Sequence, residues 1–333
     1  MGLTHSTPTD LGEGRRRLSS ASVGDYGLFG GGEKSAGVTS YVDAYNTSLT
    51  RSTPTALTAT RDDLAGVSVG SYALFGGGNT GSVSAVVDAY NTSLTRSTPT
   101  ALSAARDSLA GASVGNYALF GGGNTGSVSN VIDAYNTSLT RSTPTALATA
   151  RSLLAGASVG DYAIFAGGDT GSRSAVVDAY NTSLTRSTPT VLSNGRSYLK
   201  GASITGYALF GGGFSSTYAT EVDAYNTSLT RSTPTALSAG RYRLGAASND
   251  NYALFGGGNT GSRSDVVDAY DASLTRTLPT VLDETKEYVA GASVGSYLIF
   301  AGGFNTTNWY LDSVDAYLDD TPSDNTTNFF FMW

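Results

Sequence analysis

A 45-residue period constrains this chain more than any other feature. A glycine triplet, with Ala in its first place twice, begins at Gly30, Gly76, Gly121, Ala166, Gly211, Gly256 and Ala301. A Val/Ile-Asp-Ala-Tyr segment keeps step with it and places aspartates at Asp43, Asp88, Asp133, Asp178, Asp223, Asp268 and Asp315. Repetition on this scale marks supersecondary units that cannot each bury a hydrophobic face alone and must cover one another. Seven units span residues 1–320 as one repeat domain, and residues 321–333 remain as a polar linker with an aromatic tail.

Each unit reads as four short strands. The first, as around Leu109–Val114, is built of small residues, and a tight Gly115-Asn116 turn follows. The second, Tyr117-Ala118-Leu119-Phe120, is apolar on both faces, as a sheet packed between two others requires. The third surrounds Val131–Tyr135. An Asn-Thr-Ser turn leads to a Ser/Thr-rich fourth strand ending near Pro144, a residue tolerated at an outer edge. No stretch has useful helical periodicity. The expected fold is all-β: a seven-bladed β-propeller with four antiparallel strands per blade. The seventh unit lacks its Ser-Thr-Pro-Thr strand, whereas Ser6-Thr7-Pro8-Thr9 precedes the first unit. Residues 3–9 are therefore expected to supply the outer strand of blade seven and close the ring, leaving no exposed sheet edge.

These units resemble kelch repeats: a strand pair ending in a glycine doublet, a strand ending in Asp-x-Tyr, and an outer strand. The residue ahead of each first strand matches the kelch arginine, at Arg15, Arg61, Arg106, Arg151, Arg196 and Arg241, with Lys286 in the seventh. The fourth strand departs from that pattern. The kelch tryptophan is missing, with Arg51, Arg96, Arg141, Arg186, Arg231 and Arg276 nearby and His5 in the equivalent place of the N-terminal strand. The near-identity of the units is similar to kelch-like stretches of bacterial and bacteriophage proteins.

Much chemistry is excluded. There is no cysteine and one histidine, His5, so the resemblance does not extend to the cysteine-linked copper centre of kelch-type oxidases, and neither thiolate nor two-histidine metal sites can form. No sialidase-type Ser-x-Asp box is present. A net charge of −7 argues against a nucleic-acid partner. No apolar run approaches the length of a membrane helix, and the start lacks a signal-peptide pattern. Gly76-Gly77-Gly78-Asn79-Thr80-Gly81 matches a dinucleotide fingerprint but opens no helix. Asn46-Thr47-Ser48 and its copies match a glycosylation sequon but read as turns. The repeated Arg and Asp positions suit ion pairs of the framework, because catalysis by an acid and a base needs two carboxylates in unlike environments.

Function is therefore expected where the repeat breaks. The segments after each arginine and after each glycine triplet share one face of the ring and vary, whereas the opposite face with its Asn-Thr-Ser turns is nearly uniform. Outside the three aromatic repeat positions and the tail there are nine aromatics: Tyr41, Tyr198, Phe214, Tyr218, Tyr242, Tyr288, Phe304, Trp309 and Tyr310. All but Tyr41 fall in blades five to seven. Aromatics on polar loops suit stacking on sugars or anchoring a protein; the other reading is that they cover the rim and plug the channel mouth. The candidate ligand-binding set is Tyr198, Phe214, Tyr218, Tyr242, Arg243, Tyr288, Phe304, Trp309 and Tyr310. The tail, Phe329, Phe330, Phe331, Met332 and Trp333, is costly to leave in water; it either folds back onto its own propeller or docks into a neighbouring subunit, and the second makes it a candidate assembly contact.

The sequence leads to the expectation of a non-enzymatic module of an exposed assembly, without cofactor; no ligand spacing supports a metal, and the sequence leaves metal binding open. The assembly would be a phage virion fibre, tail or decoration protein, or an extracellular or cell-surface structure. Its partners would be a cell-surface glycan or protein receptor, with other subunits held through the tail. It would bind no nucleic acid and insert in no membrane. Two alternatives stand beside this: a purely structural subunit, and a carbohydrate-active enzyme using Asp283, Glu284 or Glu287 in the axial mouth.

Overall fold

The third unit illustrates how each blade forms. Ala110–Val114 pairs with Tyr117–Gly121, which pairs with Ile132–Asn136, which pairs with Arg141–Ser142, all antiparallel. Small residues keep the first strand narrow enough to lie at the axis. Alternation in the second and third strands buries both faces, with Leu119, Phe120, Ala134 and Tyr135 wholly inaccessible to solvent. The computed structural model describes residues 2–321 and contains seven such four-stranded sheets, a seven-bladed β-propeller. The tail residues Phe329, Phe330, Phe331, Met332 and Trp333 lie outside the described residues.

The fourth strand is shorter than the sequence suggests. It pairs over two residues, as at Arg141–Ser142, and the Thr-Pro-Thr that follows leaves the ladder. The reason is local: proline has no N–H to donate. The turn before it is fixed by Asn136, whose Oδ1 accepts from the N–H groups of Ser138 and Thr140 at 3.0 and 2.9 Å. The same pair of bonds recurs at Asn46, Asn91, Asn181, Asn226 and Asp271. In this way the sequon-like segment is used as a turn.

Leu3–Ser6 completes blade seven, pairing antiparallel with Val314–Asp319 in the register His5 opposite Tyr317. Arg51 stands opposite Tyr45 and Arg141 opposite Tyr135, so His5 fills the fourth-strand arginine's place. Its Nε2 lies 2.9 Å from Asp315, as Arg51 lies 2.8 Å from Asp43. The two ends of the ring meet, with the Asp320 N–H donating to the Gly2 carbonyl at 3.2 Å. The extra residue of the first unit is absorbed in a short hairpin, Glu33–Lys34 against Gly37–Val38.

The core lies between blades rather than within them. Seven hydrophobic clusters alternate around the ring; Ile164, Val177 and Ala179 of blade four, for instance, pack on Phe210 and Tyr225 of blade five. In each blade the second-strand Phe meets the third-strand Tyr edge-on, as Phe120 meets Tyr135 at 5.9 Å. The Tyr hydroxyl escapes an unpaired burial by donating to a Thr carbonyl of the connection arriving from the preceding blade, as Tyr135 does to Thr100 at 2.7 Å.

A charged frame accompanies this core. The arginine ahead of each first strand is fully buried and pairs with the third-strand aspartate of its own blade: Arg61 with Asp88 at 2.6 Å, Arg106 with Asp133 at 2.8 Å, Arg196 with Asp223 at 2.7 Å. Its other donor caps the Phe carbonyl of the second strand, as Arg106 does for Phe120 at 3.1 Å. The aspartate in turn accepts from a backbone N–H of the incoming connection, as Asp133 does from Ser103. Each Arg/Asp pair therefore ties three strands of a blade to the chain that enters it.

Candidate functional site

The variable face consists of two concentric rings, a division the sequence does not announce. The inner ring takes the second residue after each framework cation: Arg17, Asp63, Ser108, Leu153, Tyr198, Arg243 and Tyr288. All seven hold a positive φ, between 48° and 58°. Their backbones are linked in sequence around the axis by N–H to C=O bonds, from Asp63 N to Arg17 O at 3.3 Å through to Tyr288 N to Arg243 O at 2.8 Å. A left-handed conformation is unfavourable for a bulky residue, and here these circumferential bonds hold it. Its effect is to turn each side chain toward the axial mouth, a cavity of about 140 Å³ floored by the buried leucine girdle from Leu18 to Leu244 with Val289.

The outer ring is built from the residue just after the cation and the loop between second and third strands. The two segments are joined in each blade by an antiparallel bridge, such as Asp62 with Asn79, Tyr242 with Asn259 and Glu287 with Phe304. The glycine triplet permits this close approach. Gly77 and Gly78 have φ of 70° and 104°, and a Cβ on Gly77 would stand 2.5 Å from the Arg106 carbonyl of the next blade. The first place of the triplet carries no such backbone demand, consistent with alanine at 166 and 301.

The structure gathers the expected aromatics into two clusters. In the first, Tyr218 stacks on Tyr242 with ring centres 5.7 Å apart and planes 16° apart, and Phe214 and Tyr198 lie edge-on or tilted against Tyr242 at 5.6 and 5.9 Å. Arg243 lies 4.6 Å from the Tyr242 ring and 4.5 Å from Tyr288, so one guanidinium joins the cluster to the mouth. In the second, Arg16 stands between Phe304, Trp309 and Tyr310 at 5.3 to 5.7 Å. Arg16 comes from the start of blade one, so this cluster spans the ring closure. It also makes two hydrogen bonds to Glu33, at 2.9 and 3.1 Å, and they hold that carboxyl below its usual range.

The nine expected residues are not equivalent. Trp309 is 61% exposed and Tyr218 39%, and these two offer open ring faces. Phe304 is buried, with Trp309 at 5.3 Å and Arg263 4.3 Å from its ring, so it supports Trp309 instead of presenting a surface of its own. Tyr198, Arg243 and Tyr288 belong to the inner ring, and Phe214, Tyr242 and Tyr310 are half-buried in the outer ring.

The carboxylates expected at the axial mouth lie elsewhere. Glu287 points outward, buried between Arg243, Arg263 and Asn259. Glu284 is held by Asn305 and Ser313, and Asp283 is exposed at the connection into blade seven. For Glu287 the reason is local: the residue after the framework cation bridges to the loop of its own blade, and only the following one, at positive φ, faces the axis. The carboxylate that does line the mouth is Asp63, pushed up to about 6 by burial and by the neighbouring Asp62.

Sequence reasoning missed Lys200. It occupies the first-strand position filled elsewhere by Ser19, Ala65, Ala110, Ala155, Gly245 and Ala290, and it lines both the mouth and the lumen beneath it. Its side chain meets channel water but is encircled by the blades, and this enclosure lowers the basicity of its ammonium against the opposing pull of Asp63. The signal was available: a single charged residue where the other copies are small. Deeper in the lumen, first-strand serines link neighbouring blades, as Ser158 Oγ does by donating to Ser113 O at 2.6 Å. Among the described residues no three His, Asp or Glu side chains converge as a metal site.

The sequence matches no protein-family model, and no curated protein matches it significantly.

Proposed function

We propose that this propeller is a non-enzymatic recognition module of an exposed assembly, using its variable face to engage a carbohydrate or protein on a cell surface. The observation that carries the reading is the pair of aromatic–arginine clusters. Tyr218 and Trp309 are held with open ring faces over a rigid support, on one face of a ring whose other face is nearly uniform. Rigid aromatics on polar loops bind at low entropic cost, because few rotamers remain to be frozen. The kelch-like blade pattern and the near-identity of the units favour a bacteriophage virion or a bacterial surface structure as the setting. The pairing of Glu284 and Glu287 with neighbouring side chains supports binding over turnover, since neither is left free as an acid or a base. A structural subunit is the second reading, favoured by the engagement of Arg16 and Arg263 within the clusters.

A glycan array and intact bacterial envelopes, probed with the wild-type chain and a Tyr218→Ala/Trp309→Ala double variant, test this. Recognition by the clusters predicts binding that falls at least tenfold in the variant. Absence of binding by either protein, with both folded, favours the structural subunit.

A further inference from the structure

Lys200 is the one charged side chain that the first strands place in the lumen, and its neighbours give it little to do. The other mouth cations are engaged: Arg17 lies 3.6 Å from both Asp62 and Asp63, and Arg243 lies 3.7 Å from Glu287 and over three tyrosine rings. The Lys200 ammonium makes no hydrogen bond or ion pair among the described residues, and Asp63 is the one carboxylate whose charge reaches it. A framework role would call for a partner. The repeat also provides a small residue at this position in the other six blades, so the fold does not need a lysine there.

Around this amine the mouth is asymmetric. Tyr198, Arg243, Tyr288 and Arg17 form one consecutive arc, with two tyrosines presenting their rings beside the cavity and two cations between and beyond them. Asp63, Ser108 and Leu153 complete the circle. Three cations and one carboxylate line the mouth; with Arg17 held by Asp62 and Asp63 and Arg243 held by Glu287, Lys200 is the cation left to a ligand. A compact anion entering here would replace channel water at an ammonium that has no protein partner, and the enclosing wall of the mouth makes that pairing stronger than at an open surface. The flanking tyrosines add apolar and hydroxyl contacts of the kind a sugar ring uses.

We propose that the axial mouth binds the carboxylate of an acidic sugar residue, with Lys200 Nζ taking the carboxylate and Tyr198 and Tyr288 flanking the ring. The site admits a terminal residue end-on, because the mouth is ringed by the inner-ring side chains and the leucine girdle forms its floor. This inference rests on reading the variable face as a recognition surface, but it uses residues separate from Tyr218 and Trp309.

Titration calorimetry with methyl glucuronide, methyl glucoside and inorganic phosphate tests the assignment on the full chain. The glucuronide is expected to bind wild type and to weaken at least tenfold with Lys200→Ala, which installs a residue four other blades already carry and so leaves the fold intact. Lys200→Arg should retain most of the affinity, and Asp63→Asn should tighten binding a few-fold by removing the opposing charge. The glucoside should bind at least tenfold more weakly than the glucuronide. Equal glucuronide binding by wild type and Lys200→Ala, or none by wild type at millimolar concentration, overturns the proposal. Phosphate binding as tight as the glucuronide's overturns the sugar assignment. If Tyr218→Ala/Trp309→Ala abolishes envelope binding and Lys200→Ala changes nothing, the clusters stand as the recognition site and the mouth does not.

Discussion

Buried arginine is an expensive residue, and this protein carries six of them with a lysine in the seventh place. Desolvation pulls Arg61, Arg106, Arg151 and Arg241 below the ordinary guanidinium value, although each keeps its aspartate. Breaking one such pair strands a charge in the core. Arg106→Ala should therefore cost roughly 3–5 kcal/mol, read as a shift in the denaturant midpoint with unchanged slope. Arg106→Lys is expected to cost only about 1–2 kcal/mol, close to the worth of the bonds to the Phe120 and Ala104 carbonyls. Lys286 shows why the milder change is tolerated: its ammonium reaches Asp315 at 2.8 Å and gains Ser313 Oγ at 2.8 Å, where five other blades have valine or glutamate. Lys200 behaves in the opposite sense, having no aspartate at contact distance. Its folded pKa lies below 10.5, so folding is opposed while the ammonium is charged, and the opposition disappears as pH rises past 10.5. Lys200→Ala should raise the melting temperature at pH 7 and show no advantage above pH 10.5. Below about pH 6 Asp63 protonates, and the advantage should widen. A melting-temperature series from pH 5 to 11 checks all three points.

At the scale of elements, the ring depends on one strand contributed from the other end of the domain. Leu3–Ser6 gives blade seven its outer strand, His5 pairs with Asp315, and Thr9 accepts the Tyr45 hydroxyl of blade one. Removing residues 2–9 would expose the Val314–Asp319 edge and leave Tyr45 without its acceptor. The expected result is loss of the monomer peak on size-exclusion chromatography and a melting temperature lower by 10 °C or more. A truncated chain that stays monomeric with an unchanged midpoint would mean that the interblade packing holds the ring without this strand. The same logic separates the hairpins. The outer turns of six blades are locked by two side-chain bonds each, whereas the loops between second and third strands are held mainly by backbone bonds, to the post-arginine segment of their own blade and to the start of the next. That leaves them free to carry new side chains without disturbing the ladder.

For the whole molecule, closure means that no blade is special except through where its chain is cut. Gly2 and Asp320 touch, so a circular permutant joining residues 321 and 2 by a short linker, with new ends inside the 136–140 turn, should fold to the same ring. Its melting temperature should lie within a few degrees of the parent, and unfolding should remain a single transition. Two separated transitions in the permutant would show that the present cut site carries cooperativity that closure alone does not provide. Stability of this kind is a sum of blade and interface contributions, and the seven interfaces are nearly alike in composition.

Period, strand alternation and the displaced Ser-Thr-Pro-Thr segment determined the fold by themselves, down to which end completes which blade. The reason is that each is a local or repeated constraint: alternation fixes two buried faces, a fixed spacing fixes identical neighbours, and a missing strand at one end matched by a spare at the other leaves one closure. The aromatic set on blades five to seven was also legible, because it breaks the repeat. What only the tertiary structure decided is how that face divides. Whether a side chain after the arginine turns to the axis or to its own loop depends on one positive-φ residue and a circumferential run of backbone bonds between units 45 residues apart. For that reason Glu287, expected in the mouth, is buried outside it, and Asp63 stands in its place. Lys200 was visible as an exception in sequence, but its meaning was not. A lysine among small strand residues becomes an unpaired charge inside a channel only when seven first strands converge on one axis.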